Sequence, residues 1–175
     1  MQKTLLLSCF LLVASIASFS QTVDPKWELF GGYSYLRSNP GGGNDAASSH
    51  GWNASLTYDL TKHWGVKADI DGHYCCDSQK EHNFLFGPQL QFKVDKSRIF
   101  LHALAGVSHG DAPSVHFSET VFAYALGGGF DYPLGSKKRW ALRLAQVDYL
   151  GTHYADSIQH NFRYSGGIVL DFGKR

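Results

Sequence analysis

Gly51-Trp52-Asn53-Ala54-Ser55-Leu56-Thr57-Tyr58-Asp59 alternates without a break. Trp52, Ala54, Leu56 and Tyr58 fall on one face, and Asn53, Ser55, Thr57 and Asp59 on the other. Successive side chains of a strand point to opposite faces, so this period of two predicts a strand with one apolar and one polar side. The pattern then recurs along the chain. In Trp64 to His73, Trp64, Val66, Ala68 and Ile70 oppose Lys67, Asp69, Asp71 and His73. In Asn83 to Lys93, Phe84, Phe86, Leu90 and Phe92 oppose Gly87, Gln89, Gln91 and Lys93, with Pro88 weakening the middle. Trp27 to Arg37, Arg98 to Ser108, Thr120 to Tyr132 and Asn161 to Phe172 follow the same rule. Arg139 to Leu150 departs from it, because strict continuation puts Gln146 and Asp148 on the apolar face. A one-residue bulge near Ala145 restores the register and sends Val147 and Tyr149 outward.

Eight strands result. Their connectors alternate between short (Leu60–His63, Val94–Ser97, Pro133–Lys138) and long (Ser38–Ser49, Cys75–His82, His109–Glu119, Gly151–His160). Short turns at one end and long loops at the other imply an all-β, antiparallel up-and-down meander. Eight strands close into a barrel with no open edge. A secreted lipocalin-like binder is also an eight-stranded barrel, and the two classes differ in which face points inward. The narrow lumen suits the Gly, Ala, Ser, Gln and charged set, whereas several Trp, Phe and Tyr per strand suit lipid. Trp27, Tyr58, Trp64, Tyr132, Trp140 and Phe172 recur near strand ends, as interfacial girdles do. Strands of about ten residues match a tilted span. The expected fold is a transmembrane β-barrel.

The rest of the composition agrees. The chain has 175 residues, 19 Gly, one Met and 43% hydrophobic residues, which favours strands and turns over helices. Met1 to Ser20 reads as a cleaved signal peptide, with Lys3 as its basic start, Leu5 to Ala17 as its apolar run and small residues before Gln21. Residues 21–175 then form the barrel domain. A lipoprotein reading of Leu6-Leu7-Ser8-Cys9 is weaker, because cleavage before Cys9 leaves only a stub of apolar run. After the leader there is no apolar run long enough for a helical span. Lys+Arg is 16 against Asp+Glu 15, a near-neutral balance that argues against nucleic acid as a partner. Export leaves Cys75 and Cys76, whose adjacency cannot staple distant parts of a fold.

The signal, the strand count, the loop alternation and the last strand together resemble the small eight-stranded outer-membrane barrels of the OmpA/OmpX type. Phe162-Arg163-Tyr164-Ser165-Gly166-Gly167-Ile168-Val169-Leu170-Asp171-Phe172 looks like their assembly signal, although Gly173-Lys174-Arg175 follows the final aromatic. The resemblance implies a bacterial outer-membrane location with both termini periplasmic. It also implies outer-membrane lipid and lipopolysaccharide as surroundings, contact with the barrel assembly machinery through the last strand, and a monomer. It implies a structural or surface-interaction role through four extracellular loops, without catalysis or cofactor.

The inward face is read as holding Glu28, Asp59, Asp69, Asp71, Asp131 and Asp171 with Lys67, Lys93, Arg143 and Arg163. Charges inside a narrow barrel must pair. The expectation is therefore a structural polar network of Glu28, Lys67, Asp69, Asp71, Asp131, Arg143, Arg163 and Asp171, in preference to an ion path. Arg143 is its candidate hub, since a guanidinium fork can bridge two carboxylates such as Asp131, Asp171 or Asp69. Nine His is a high count, and His50, His73, His82, His109, His116, His153 and His160 lie in or beside the predicted loops. They lack zinc spacing, so tolerance in wet loops is preferred over a metal site. His116-Phe117-Ser118, with Glu119, could place an imidazole beside a hydroxyl as in lipid A deacylases, but that match is two residues long. Gly41-Gly42-Gly43 lacks the Lys and Ser/Thr of a phosphate loop and reads as a loop tip.

Overall fold

The computed structural model describes residues 26–39, 47–75, 79–112, 117–135, 139–154 and 157–173. The leader, Gly41 to Gly43, Cys76 and His116 lie outside them. The eight strands are β1 Lys26–Ser38, β2 Ala47–Asp59, β3 Trp64–Tyr74, β4 Lys80–Val94, β5 Ser97–Ala112, β6 Phe117–Leu134, β7 Trp140–Tyr154 and β8 Ser157–Phe172. Each pairs antiparallel with its sequence neighbours, and β8 returns to β1, so the sheet closes in simple order.

The alternating pattern translates directly into inside and outside. Along β2, Asn53, Ser55, Thr57 and Asp59 are buried, while Trp52 and Leu56 are exposed. Phe86 is 62% exposed and Lys67 0%. This inverts a soluble barrel and removes the lipocalin-like alternative, since an apolar exterior of this extent is stable only against hydrocarbon. Aromatics gather where the turns begin. Trp27 packs on Tyr58 at 4.7 Å and stacks on Phe172 at 6.4 Å. At the closing seam the chains approach so closely that a Cβ on Gly32 would stand 2.2 Å from the Gly166 carbonyl oxygen. Only glycine fits there.

The bulge lies where the broken alternation puts it. Asp131 pairs with Arg143 and Phe130 with Ala145, so Leu144 and Ala145 are both exposed, and Gln146 and Asp148 return to the interior. Deleting Ala145 would remove the extra residue and leave Gln146 and Asp148 facing inward on a regular strand. The expected outcome is a retained heat-modifiable folded band on a gel, and loss of that band would refute the bulge.

The loops differ from expectation. β4 starts at Lys80, β5 runs to Ala112, β6 starts at Phe117, and only two residues separate β7 from β8. Two of the four expected long loops, His109–Glu119 and Gly151–His160, are thus mostly strand, and Cys75–His82 gives its last three residues to β4. Alternation fades above the apolar band, because both faces meet water there. The backbone ladder, which needs only a neighbouring strand, continues. Of the four loop-end connections, the one between β1 and β2, residues 39–46, is the longest.

Candidate functional site

The lumen is filled by two arginine-centred clusters joined by an amide. In the half nearer the short turns, Arg143 of β7 donates from Nη2 to Glu28 Oε1 at 2.7 Å and from Nε to Asp131 Oδ1 at 2.8 Å. Its guanidinium carbon lies 4.1 Å from the Phe100 ring centroid and 4.4 Å from that of Phe30. Stacked rings leave the planar donor edge free for carboxylates. Arg98 of β5 completes this cluster, pairing with Glu28 and Asp131 at 2.8 Å and with Asp171 at 3.3 Å.

Nearer the loop end, Arg163 of β8 reaches Asp69 at 2.7 Å, Asp148 at 2.6 Å, and Asp71. Each carboxylate has further support. Asn53 donates to Asp69 at 3.0 Å and Asn83 to Asp71 at 2.8 Å, while His73 lies 3.2 Å from Asp71. The two clusters meet at Gln146, which accepts from Arg143 Nη1 at 2.9 Å and donates to Asp148 at 2.8 Å. Lys67 lies beside that junction, 3.6 Å from Asp69 and 3.4 Å from Gln146 Oε1, and His102 Nε2 is 2.8 Å from Asp148.

All eight network residues named from sequence lie in these clusters, and of the three carboxylates expected as partners of Arg143, Asp131 is one and Asp69 and Asp171 are not. Arg143 takes Asp131 and Glu28, Asp69 belongs to Arg163, and Asp171 to Arg98. Arg163, with three carboxylates, is as much a hub as Arg143. Lys93, expected inside, is exposed near the turn end of β4, where the lumen opens to water. Arg98 and Asp148 were missed for identifiable reasons. Arg98 opens its strand and reads as a turn residue, while Asp148 follows the bulge. Their signal was a charge opposite exposed Ile99 and Val147.

A second omission is apolar. Leu36, Leu85, Leu104, Ala123, Ala125 and Leu150 form a buried cluster inside the barrel, and Phe30, Ala141 and Val169 another. Reading the polar face of each strand for its own apolar members would have found them. The first lies at the level of Arg163, which is across the ladder from Leu36, and Phe30 of the second lies against Arg143, so ion pairs and hydrocarbon together occupy the space that a pore would need. A planar-bilayer recording of the reconstituted protein is expected to show no sustained current. A stable charge-selective conductance, lost in Asp69→Asn or Lys67→Gln, would assign the interior charges to transport instead.

The catalytic alternative gains no geometry. Ser118 and Glu119 are exposed, and His116 lies outside the described residues. Cys75 donates from Sγ to the Ser48 carbonyl oxygen at 3.3 Å.

The sequence matches the family described as outer membrane protein beta-barrel domain over residues 6–169. No curated protein matches it significantly. Among solved structures, Neisserial surface protein A is similar at a TM-score of 0.66 and 12% identity, covering 87% of this chain and 100% of that one. Ail, the attachment invasion locus protein of Yersinia pestis, is similar at 0.61 and 16% identity, covering 86% and 100%. The N-terminal β-barrel domain of Pseudomonas aeruginosa OprF is similar at 0.54 and 13%, covering 87% and 100%. Likenesses at these identities establish the fold alone.

Proposed function

Because this chain belongs to the outer membrane protein beta-barrel domain family, and so to the bacterial outer membrane, we propose that it is a non-enzymatic, non-conducting barrel that presents the loop-end hairpins at the cell surface. The carrying observation is the asymmetry between the two ends. At one end strands stop close to the aromatics, as at Trp64, Trp140 and Phe172, and connections are tight, with Asp95 and Gly135 taking positive φ. At the other, the β5–β6 hairpin continues past His109 and Thr120 to Ala112 and Phe117. Strands that outrun the apolar band need water on both faces. In family terms that end faces outside and both termini face the periplasm.

A closed sheet without an open edge and an encircling apolar face support a monomer surrounded by lipopolysaccharide. Entry through the barrel assembly machinery fits the alternating last strand. Neisserial surface protein A and the attachment protein Ail carry surface names on this fold, which agrees with a contact role. The enzyme reading has no comparable support.

Protease added to intact cells is expected to cut within 39–46, the longest loop-end connection, and to leave Lys137 untouched. Cleavage at Lys137 with 39–46 protected would reverse the orientation. An altered lipid A mass spectrum on expressing the protein would restore the enzyme reading.

A further inference from the structure

The barrel sorts its histidines. His73 and His102 point into the lumen, and His63 sits in the β2–β3 turn. His50, His82, His109, His153 and His160 lie in register with outward residues of their strands. Whether they share a level depends on the stagger of the sheet. A row of paired residues leaves β1 at Leu29 and passes Leu56, Ala68, Phe86, Ala105, Tyr124 and Gly151 to His160. His160 is two residues above Phe162, which pairs with Arg37. The row therefore returns to β1 at the level of Asn39. Each paired row climbs roughly one residue per strand. Corrected for that climb, the five histidines fall within roughly one strand position of a single height, level with Arg37 on β1 and Tyr74 on β3.

That height is a boundary. Trp64 and Tyr74 stand at opposite ends of β3, about 23 Å apart along the membrane normal for a strand tilted by about 45°. This is close to the height of an outer-membrane apolar band. Tyr33, Trp52, Phe84, Tyr149 and Phe162 form an aromatic girdle just below.

The imidazoles are oriented. Tyr33 Oη bonds His50 Nδ1, Tyr149 Oη bonds His160 Nδ1, and Thr120 Oγ1 lies 2.8 Å from His109 Nδ1. In each case the hydroxyl comes from the neighbouring strand. With the hydroxyl donating to Nδ1, the ring proton resides on Nε2 as the remaining donor. The ring of His82 meets Tyr74 edge-on at 5.8 Å. Of the charged groups beside this level, Arg37 is exposed, and Asp111 stands across from Lys80 in the ladder.

We propose that His50, His82, His109, His153 and His160, with Arg37, form a belt that hydrogen-bonds the phosphate groups of the lipid headgroups around the loop end of the barrel. A protein partner would cover one side. Donors spaced around the circumference at one height match a partner that surrounds the barrel, and donors call for an acceptor-rich, anionic headgroup. The inference rests on the membrane reading above and assigns these headgroups to the outer leaflet.

The test uses the full barrel in phosphatidylcholine nanodiscs, with bisphosphorylated lipid A, dephosphorylated lipid A or inorganic phosphate added in turn. Ring nitrogen resonances of His50, His109 and His160 are expected to shift only with bisphosphorylated lipid A, while that of His63 stays in place. The triple variant His50→Phe, His109→Phe, His160→Phe keeps the aromatic interface and should retain that lipid roughly tenfold less in native mass spectrometry. Equal shifts with the dephosphorylated lipid, shifts with inorganic phosphate alone, or undiminished retention by the variant would overturn the belt. Nanodiscs offer both faces the same lipid, so a reversed cellular orientation would defeat the surface reading without changing this result.

Discussion

Arg163→Ala is expected to destabilise the folded barrel by about 3–5 kcal/mol, the range found when one partner of a buried ion pair is removed. Arg163 is fully buried and holds Asp69, Asp71 and Asp148 at once. Its removal leaves three carboxylates without their principal cation, and Lys67, 3.6 Å from Asp69, is committed to the junction with Gln146. Urea unfolding in vesicles, followed by tryptophan fluorescence, reads the loss. Adding Asp148→Asn should recover part of it, because one of the stranded charges disappears, so the two changes should be strongly non-additive. A loss below about 1 kcal/mol for Arg163→Ala would mean that the lumen is wet enough to solvate these carboxylates, and the structural reading of the network would fail.

The second large effect lies on the opposite face. Leu56→Arg should cost about 2–4 kcal/mol, and Leu60→Arg no more than about 1, because the penalty for a cation on the lipid face falls from the midplane to the interface. Both leucines are exposed, one near the middle of the band and the other in the turn after β2. The pair holds the substitution constant and varies only depth. Equal costs at the two sites would mean that the apolar exterior is not immersed in lipid.

Which features were legible follows from how far each signal reaches along the chain. Period-two alternation is local, so Trp52 to Asp59 announced a strand and its two faces. The break at Gln146 and Asp148 announced a bulge by the same logic. Charges on the small-residue face had to lie inside, and Glu28, Lys67 and Arg143 do. Alternation carries no register, however. Whether Arg143 meets Asp69 or Asp131 depends on the stagger accumulated around the closed sheet, and no residue near Arg143 encodes it.

The same limit governs the loop end. Eight strands, their inward and outward residues, the bulge and the apolar exterior were all legible from the residues, because each follows from side-chain chemistry over a few neighbouring positions. Tertiary structure alone decided three things. Lys80 to His82 and Ser118 to Glu119 are strand, since a ladder needs only an adjacent backbone. Arg98 and Asp148 complete the two ion clusters. Histidines far apart in sequence, which read as scattered loop residues, stand at one level around the barrel, because the shear of a closed sheet brings distant positions to a common height.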